Sequence, residues 1–524
     1  MNRSLLAGLL LALAAALLLR CAPPEVRPLH NDEGVNAIKF AGLWSGRGYQ
    51  YDPNEHHGPA LPYASLVLAR LTGARSLDDF SDRWLRALDV LFGAGLILLL
   101  PLLADGLGRG ATLSAAGLIA VSPAMVFYSR YYIHEMLLVF FGLLAVAAVW
   151  RYTRAPRWEW ALAAGAAVGL MQATKETFLI NLIAAGMALA VDRGWRKWVD
   201  ASDRNGEPVR IKPAHVAVAL AAWGVVWVLL FSSFFSNPAG PGDSLLTYRP
   251  WFSRAGGASP HIHPWHFYLE RWFWFRRAKG PLWTELFIAL LALVGAVAGF
   301  SRRRVPGLHP GLLRFLALYT GATAAAYCLL AYKTPWCFLT PWIGAILLAG
   351  AGVVVVARRA RRPPARLALG VVLAAGVAHL GFQAWRASVP YASSPANPYV
   401  YAQTLPGALD LVRQIKALAA VHPEGKGMLV KVIAAGGDYW PLPWYLRDLT
   451  GVGWYEALPP DPFAPVMVVS ASFQAGLDAG KTHQMPGFFE FRPGVFFELY
   501  SAVGLWRKYI ESRPRPKDDE ADTP

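Results

Sequence analysis

Two adjacent carboxylates, Asp32 and Glu33 in HNDEGVNAIKF, follow closely on an apolar run. Further ionisable residues recur at the ends of later apolar runs: Arg130, His134 and Glu135 in YSRYYIHE, Lys175 and Glu176 in TKET, and Lys333, with Trp336, in YKTPW. Adjacent carboxylates at a helix start suit a general base or a divalent metal such as Mg or Mn. Arg130, Lys175 and Lys333 suit an anionic group such as a phosphate. A base together with a phosphate clamp implies group transfer. For a metal, the candidate set is Asp32 with His56 and His57, although no HxxxH or HExxH pattern links the histidines, which also include His30, His261, His263 and His266. HIHPWH reads as a loop packed with aromatics. With only 3 cysteines, neither a disulfide framework nor a CxxC site is legible.

The elements that must position these groups are membrane helices. Of 524 residues 55% are hydrophobic, mean hydropathy is +0.33, and the apolar residues fall in long blocks. That composition belongs to a polytopic membrane protein. About eleven spans are expected, over 4–20, 86–104, 111–127, 134–150, 160–173, 178–191, 214–235, 285–301, 312–331, 337–357 and 366–385. The first reads as a retained span, because LLLRCAPPE lacks a small-x-small cleavage site. Asn31 is the expected cap of a helix whose apolar face is Val35, Ile38 and Leu43.

The net charge of +16 does not point to nucleic acid, because the basic residues cluster in short loops between spans. Arg109, the group Arg151, Arg154 and Arg157, the loop from Arg193 to Lys212, the RRR at 302–304, and Arg358 to Arg366 lie in alternate loops, which assigns those loops to the cytoplasm. The remaining loops then lie outside: 21–85, 128–135, 174–177, 236–284, 332–336 and everything after about 386. All of the chemistry-bearing residues named above fall on that external side. Ionisable groups at membrane depth usually line a cavity or pair with one another.

Taken together, the DE pair after the first span, YDPNEHHGPALPYASLVLARLTG, YSRYYIHEMLLVFFGLL, ATKETFLI, YKTPWCFLTPW, PYVYAQT and GDYWPLPWYLRDLTGVGWY resemble the polyprenyl-phosphate-dependent membrane glycosyltransferases of the GT-C fold. The resemblance is closest to a bacterial and archaeal group of flippase-activity-associated proteins, related to protein O-mannosyltransferases and lipid A aminoarabinose transferases. It implies a GT-C-like membrane domain over 1–389 and sugar transfer from a polyprenyl-phosphate donor to an envelope acceptor at the external face of a bacterial inner membrane, with the N-terminus cytoplasmic. It implies that Asp32, adjoined by Glu33, activates the acceptor or binds a metal. Arg130, His134 and Glu135 would orient donor phosphate or acceptor, Lys175 and Glu176 form the KE turn, and Lys333 with Trp336 would meet the carrier phosphate. Membrane lipid is a further implied partner. A lipid-linked-sugar transporter or flippase-associated protein, and a non-catalytic envelope assembly protein, are the two other classes the sequence accommodates.

Residues 390–510 change character. GALDLVRQIKALAA has helical apolar spacing, while GMLVKVIAAG, APVMVVSAS and GVFFELYSAV read as short strands. A small extracytoplasmic α/β domain is expected there, followed by a disordered tail over 511–524. AAGGD does not complete GxGxxG, so nucleotide binding has little support. DYWPLPWY could stack on sugar rings or pack internally.

Overall fold

The computed structural model describes residues 3–21, 27–54, 57–199, 211–256 and 261–513. The chain divides into two compact units, one made of residues 1–24 and 39–401, the other of residues 25–38 and 402–524. The tail from 514 onward lies outside the described residues, while 511 and 512 complete the helix Val503–Ser512.

The first unit is a helical membrane body, and each expected apolar segment is helical within it. Among the described residues, eight helical runs are long and apolar enough to cross a membrane. One of them, Asp82–Val121, contains the expected segment 86–104 and the first eleven residues of 111–127. Two further helices, Trp158–Thr174 and Leu286–Phe300, are shorter, at 17 and 15 residues. Helices are the expected solution because a lipid-immersed backbone must satisfy its own hydrogen bonds. The segment expected at 111–127 breaks at Ser122 (φ −58°, ψ 121°), because the residue before Pro123 is driven out of the helical region. A short helix, Pro123–Tyr128, then leads into YSRYYIHE.

The apolar helices pack through small residues. A Cβ on Gly295 would lie 2.0 Å from the Leu348 carbonyl oxygen, and one on Gly352 would lie 2.0 Å from that of Leu291. Helices Leu286–Phe300 and Leu339–Arg359 therefore meet backbone to backbone, a contact that only glycine allows. The body extends beyond the expected limit at 389. Tyr399 is buried, its hydroxyl donates to Glu285 Oε1 at 2.8 Å, and its carbonyl accepts from Tyr128 at 2.9 Å. These bonds hold residues 390–401 in the membrane unit.

The second unit carries a five-stranded sheet in the order β2-β1-β3-β5-β4, with β1 Val430–Ile433, β2 Val452–Tyr455, β3 Val466–Ser470, β4 His483–Arg492 and β5 Val495–Ala502. β1 runs parallel to β2 and β3, and β5 runs antiparallel to β3 and β4. β1 and β3 are wholly buried, as central parallel strands are. Helices Gly407–Val421 and Val503–Ser512 cover the sheet's apolar residues. The helix and β1, β3 and β5 match the segments expected from the sequence. β2 and β4 escaped that reading because Gly453 interrupts one, and Pro486–Gly487, at a register shift, interrupts the other.

Residues 27–36 belong with this unit and not with the membrane body. The Leu29 amide donates to the Tyr445 hydroxyl at 2.7 Å, and Gln403 Nε2 donates to the Pro28 carbonyl at 3.0 Å. A Cβ on Gly34 would lie 2.4 Å from Pro441 Cβ, so only glycine passes the DYWPLPWY loop there. Packing is thus one use of that aromatic loop.

Candidate functional site

In the membrane unit, the KE turn is built where helix Trp158–Thr174 stops. Lys175 is extended (φ −156°, ψ 141°), and the next helix, Phe178–Trp198, begins three residues later. The end of the first long loop is pinned against this turn. His57 and Lys175 form an antiparallel bridge, and the Gly58 amide donates to the Thr174 carbonyl at 3.1 Å. A Cβ at Gly58 would lie 2.1 Å from the Ala173 oxygen, so the pinning depends on glycine.

Around the turn, five expected residues come together: Glu135, Lys175, Glu176, His134 and His57. The Lys175 ammonium donates to Glu135 at the start of helix Glu135–Arg154, and both side chains are only 6% exposed. Cys337 Sγ lies 3.9 Å from the same ammonium. Glu176 Oε2 lies 3.3 Å from His57 Nδ1, and the rings of His57 and His134 are 4.8 Å apart. His134 Nε2 donates to the Gly58 carbonyl at 3.2 Å, which leaves Nδ1 as a buried lone pair with no hydrogen-bond partner among the described residues.

Electrostatics follow from burial and from these neighbours. Burial works against the Lys175 charge, but Cys337, Glu135 and Glu176 outweigh it and hold the ammonium well above the usual lysine range. Burial likewise works against the Glu176 carboxylate, but His57 and Lys175 keep it below its ordinary value. Burial, reinforced by His57, Lys175 and Lys39, pushes His134 well below the usual imidazole range. Lys39 is itself lowered to about 8, by burial against a weaker pull from Asp52. Lys39 and Cys337 were not legible as site residues. Both lie beside motif residues, but neither type nor spacing marked them.

One helical turn from the ion pair, a narrow apolar cleft opens between helices Glu135–Arg154, Phe178–Trp198, Pro310–Leu329 and Leu339–Arg359. Leu138, Val139, Leu143 and Leu347 line it, along with Asn181 and Tyr319, which hydrogen-bond each other at 2.6 Å. A cation at the head of an apolar cleft suits an amphiphile with an anionic head.

The other expected residues of this unit sit differently. Arg130 is buried in the hairpin, 8% exposed. Lys333 is 1% exposed, and its ammonium donates to the carbonyls of His263, at 3.0 Å, and Leu330. It fastens the HIHPWH loop, whose His261 and His263 both meet the Tyr401 hydroxyl, at 2.7 and 2.9 Å. Trp336 is buried against Tyr128 and Tyr401. A carboxylate that the sequence did not single out, Glu285, is fully buried and accepts from Ser122, the Ala124 amide, Trp342 and Tyr399.

In the second unit the adjacent carboxylates separate by environment. Glu33 is fully buried, accepts the His30 amide at 2.8 Å and lies 3.6 Å from Arg27. It supplies the cap at the start of helix Asn31–Trp44 by reaching back to His30, and Asn31 is the first helical residue. The Asp32 side chain is 41% exposed. His30 Nδ1 accepts the Asp32 amide at 3.1 Å, so that nitrogen carries no proton, and burial, with Arg492 and Arg27 adding to it, lowers the His30 pKa. Arg492 on β4 anchors the aromatic loop by donating to the Asp438 and Trp440 carbonyls.

Of the expected metal set, Asp32 belongs to the second unit and His57 to the first, while His56 lies outside the described residues. Among the described residues, no three His, Cys, Asp or Glu side chains gather as metal ligands.

Residues 71–236 match the family model of dolichyl-phosphate-mannose-protein mannosyltransferases. No curated protein matches the chain. Among solved structures, ArnT from Cupriavidus metallidurans bound to undecaprenyl phosphate is similar at 16% identity, over 95% of this chain and 98% of that one, with a TM-score of 0.61. The oligosaccharyltransferase AglB from Archaeoglobus fulgidus, in complex with an inhibitory peptide and a dolichol-phosphate, is similar at 14% identity over 90% and 70%, with a TM-score of 0.57. Against the Archaeoglobus fulgidus oligosaccharyltransferase tethered to an acceptor peptide, identity is 14% and the TM-score 0.55; 87% of this chain is covered but only 64% of that longer one.

Proposed function

We propose, from the premise that this chain is a multi-pass membrane protein with the GT-C fold of membrane glycosyltransferases, that it transfers a sugar from a polyprenyl-phosphate donor to an envelope acceptor. The observation that carries this reading is the buried Lys175–Glu135–Glu176 cluster one turn from an apolar cleft. The apolar lining of that cleft suits an isoprenoid chain, and the Lys175 cation suits its phosphate. The match to the mannosyltransferase model and the lipid phosphates bound by the similar structures support the donor class.

In the transfer, an acceptor hydroxyl attacks the anomeric carbon, and the bond from that carbon to the phosphate oxygen breaks. The electron pair leaves on the polyprenyl phosphate, already an anion, so no general acid is demanded. A carboxylate receives the acceptor's proton. The family resemblance gives that role to Asp32, and the exposure of Asp32 beside the capped and buried Glu33 favours the same choice. A divalent cation, if one takes part, would draw on Asp32. The membrane is the bacterial inner membrane, with the arginine-rich loops in the cytoplasm and the second unit outside.

The test is transfer from radiolabelled undecaprenyl-phosphate sugars to cell-envelope extract by the purified protein. Label transfer that is lost in Asp32→Asn is expected. Donor binding without transfer by the wild type would overturn the reading in favour of transport or assembly.

A further inference from the structure

Building on the transferase reading, we propose that a half-exposed row of aromatic rings in the second unit, Trp440, Tyr439 and Trp454, binds a saccharide chain beside Asp32 and so selects a saccharide as the acceptor.

Tyr439 is the middle ring of the row. Its centroid lies 5.0 Å from that of Trp454 and 6.1 Å from that of Trp440, at interplanar angles of 39° and 33°. Tyr439 and Trp440 belong to the loop after β1, and Trp454 belongs to β2, the edge strand beside β1. Packing on the core of the unit takes up part of Tyr439 and Trp454. All three rings nevertheless keep a surface to solvent, whereas Trp444, four residues beyond Trp440, is 1% exposed. Internal packing accounts for Trp444 and leaves the row unexplained.

The place of the row in the sheet is one where ligands bind. In the order β2-β1-β3 the chain leaves β1 for β2 on one side and then crosses to β3 on the other. The carboxyl end of β1 is therefore a topological switch point, and open sheets of this kind hold ligands in the crevice outside such an end. The Gly436 amide donates to Glu456 Oε2 at 3.1 Å, which ties together the segments that follow β1 and β2 there.

The row is also continuous with the Asp32 surface. A Cβ on Gly34 would lie 3.6 Å from Trp440 Cε3, so the first turn of helix Asn31–Trp44 packs on that ring. Arg492 donates to the Trp440 carbonyl at 3.4 Å and lies 3.4 Å from the Asp438 carboxylate, and the Asp32 charge acts on the same guanidinium.

This mixture of groups suits a sugar. A sugar ring has a C–H face that lies on an aromatic ring and a rim of hydroxyls that donate to carboxylates. Beside the rings, Glu456 is exposed and the Asp438 side chain is 46% exposed, both in reach of solvent as hydroxyl acceptors. A chain lying along the row brings one of its hydroxyls toward Asp32.

The test titrates the purified full-length protein in detergent with fluorophore-labelled oligosaccharides released from cell envelopes by mild acid, and reads binding by fluorescence polarisation. Wild type should bind them, and Trp440→Ala and Trp454→Ala should each weaken binding about tenfold. Trp440→Phe should retain most of the affinity, and Phe488→Ala, at an aromatic residue 55% exposed on β4, should change it little. No binding by wild type, or unchanged binding in both alanine variants, would overturn the proposal. Thermal unfolding identifies an alanine variant that has lost its fold; the leucine variant, which fills space without an aromatic face, then takes its place and should weaken binding likewise. In the transfer assay the labelled product should resist protease. A product that protease digests would overturn the saccharide acceptor and leave the transferase reading standing. Saccharide binding that depends on the row, with no transfer by wild type, would uphold the site and overturn the transferase reading alone.

Discussion

Replacing Lys175 with Met is the most direct test of the ion pair at the KE turn. The substitution keeps the apolar stem but leaves the Glu135 carboxylate, in a side chain 6% exposed, without its cation and near Glu176. Breaking a buried pair from one side costs about 3–5 kcal/mol, because the remaining charge keeps its desolvation penalty without compensation. Removing both charges, in Glu135→Leu with Lys175→Met, takes that penalty away, so the double variant should regain most of the loss. Full recovery is not expected, since Glu176 also loses a neighbouring cation and retains only His57. Thermal unfolding in lipid nanodiscs measures the stability cycle, and equilibrium binding of undecaprenyl phosphate measures the functional one. Stability should fall and recover across the series, whereas lipid-phosphate binding should fall in both proteins that lack Lys175. A single variant as stable as wild type would show that the pair is not buried as described. A double variant that binds the lipid as tightly as wild type would remove Lys175 from the phosphate site.

The adjacent carboxylates should respond in opposite ways: Asp32→Asn should abolish transfer with unfolding unchanged, and Glu33→Ala should cost about 1–3 kcal/mol by stranding the His30 amide, read by the same thermal melts. Gly58→Val places a side chain 2.1 Å from a carbonyl oxygen and should destabilise by about 1–3 kcal/mol or more, with transfer falling as the loop leaves the KE turn. For pH, an unfolded histidine protonates near about 6.5 while folded His134 remains neutral well below that. The unfolded state therefore binds the extra proton. Stability is complete above about pH 6.5 and declines by about 1.4 kcal/mol per unit below it until the folded group also titrates. His134→Gln should flatten that decline in a series of melts, and an unchanged slope would remove His134 as its source.

The helical body was legible because lipid leaves a chain few options: long runs of Leu, Ala and Val announce their own helices. Motif residues near apolar ends also marked Glu135, Lys175, Glu176 and His134, which the fold brings together, since charge at such depth must find a partner. Pairing itself was not legible. Which lysine faces a carboxylate and which fastens a loop depends on contacts between distant segments, such as Lys333 with His263. Nor could two adjacent acids be told apart: the burial of Glu33 and the exposure of Asp32 arise from Arg27 and a helix start, not from any difference in local pattern. Glu285 stayed hidden for the same reason, because its four donors come from segments more than fifty residues away along the chain.

The assignment of residues 25–38 to the same unit as residues 402–524 gives the protein an order in time. Segment 25–38 emerges from the ribosome early, yet the chain that supplies Gln403 and Tyr445 follows roughly 360 residues later. At about 5–20 residues per second that interval is tens of seconds. Throughout it the membrane body can insert and assemble while the Asp32 segment waits without its supports. A chain that has reached residue 401 thus holds the whole membrane unit and still lacks the contacts that Gln403 and Tyr445 make with residues 28 and 29.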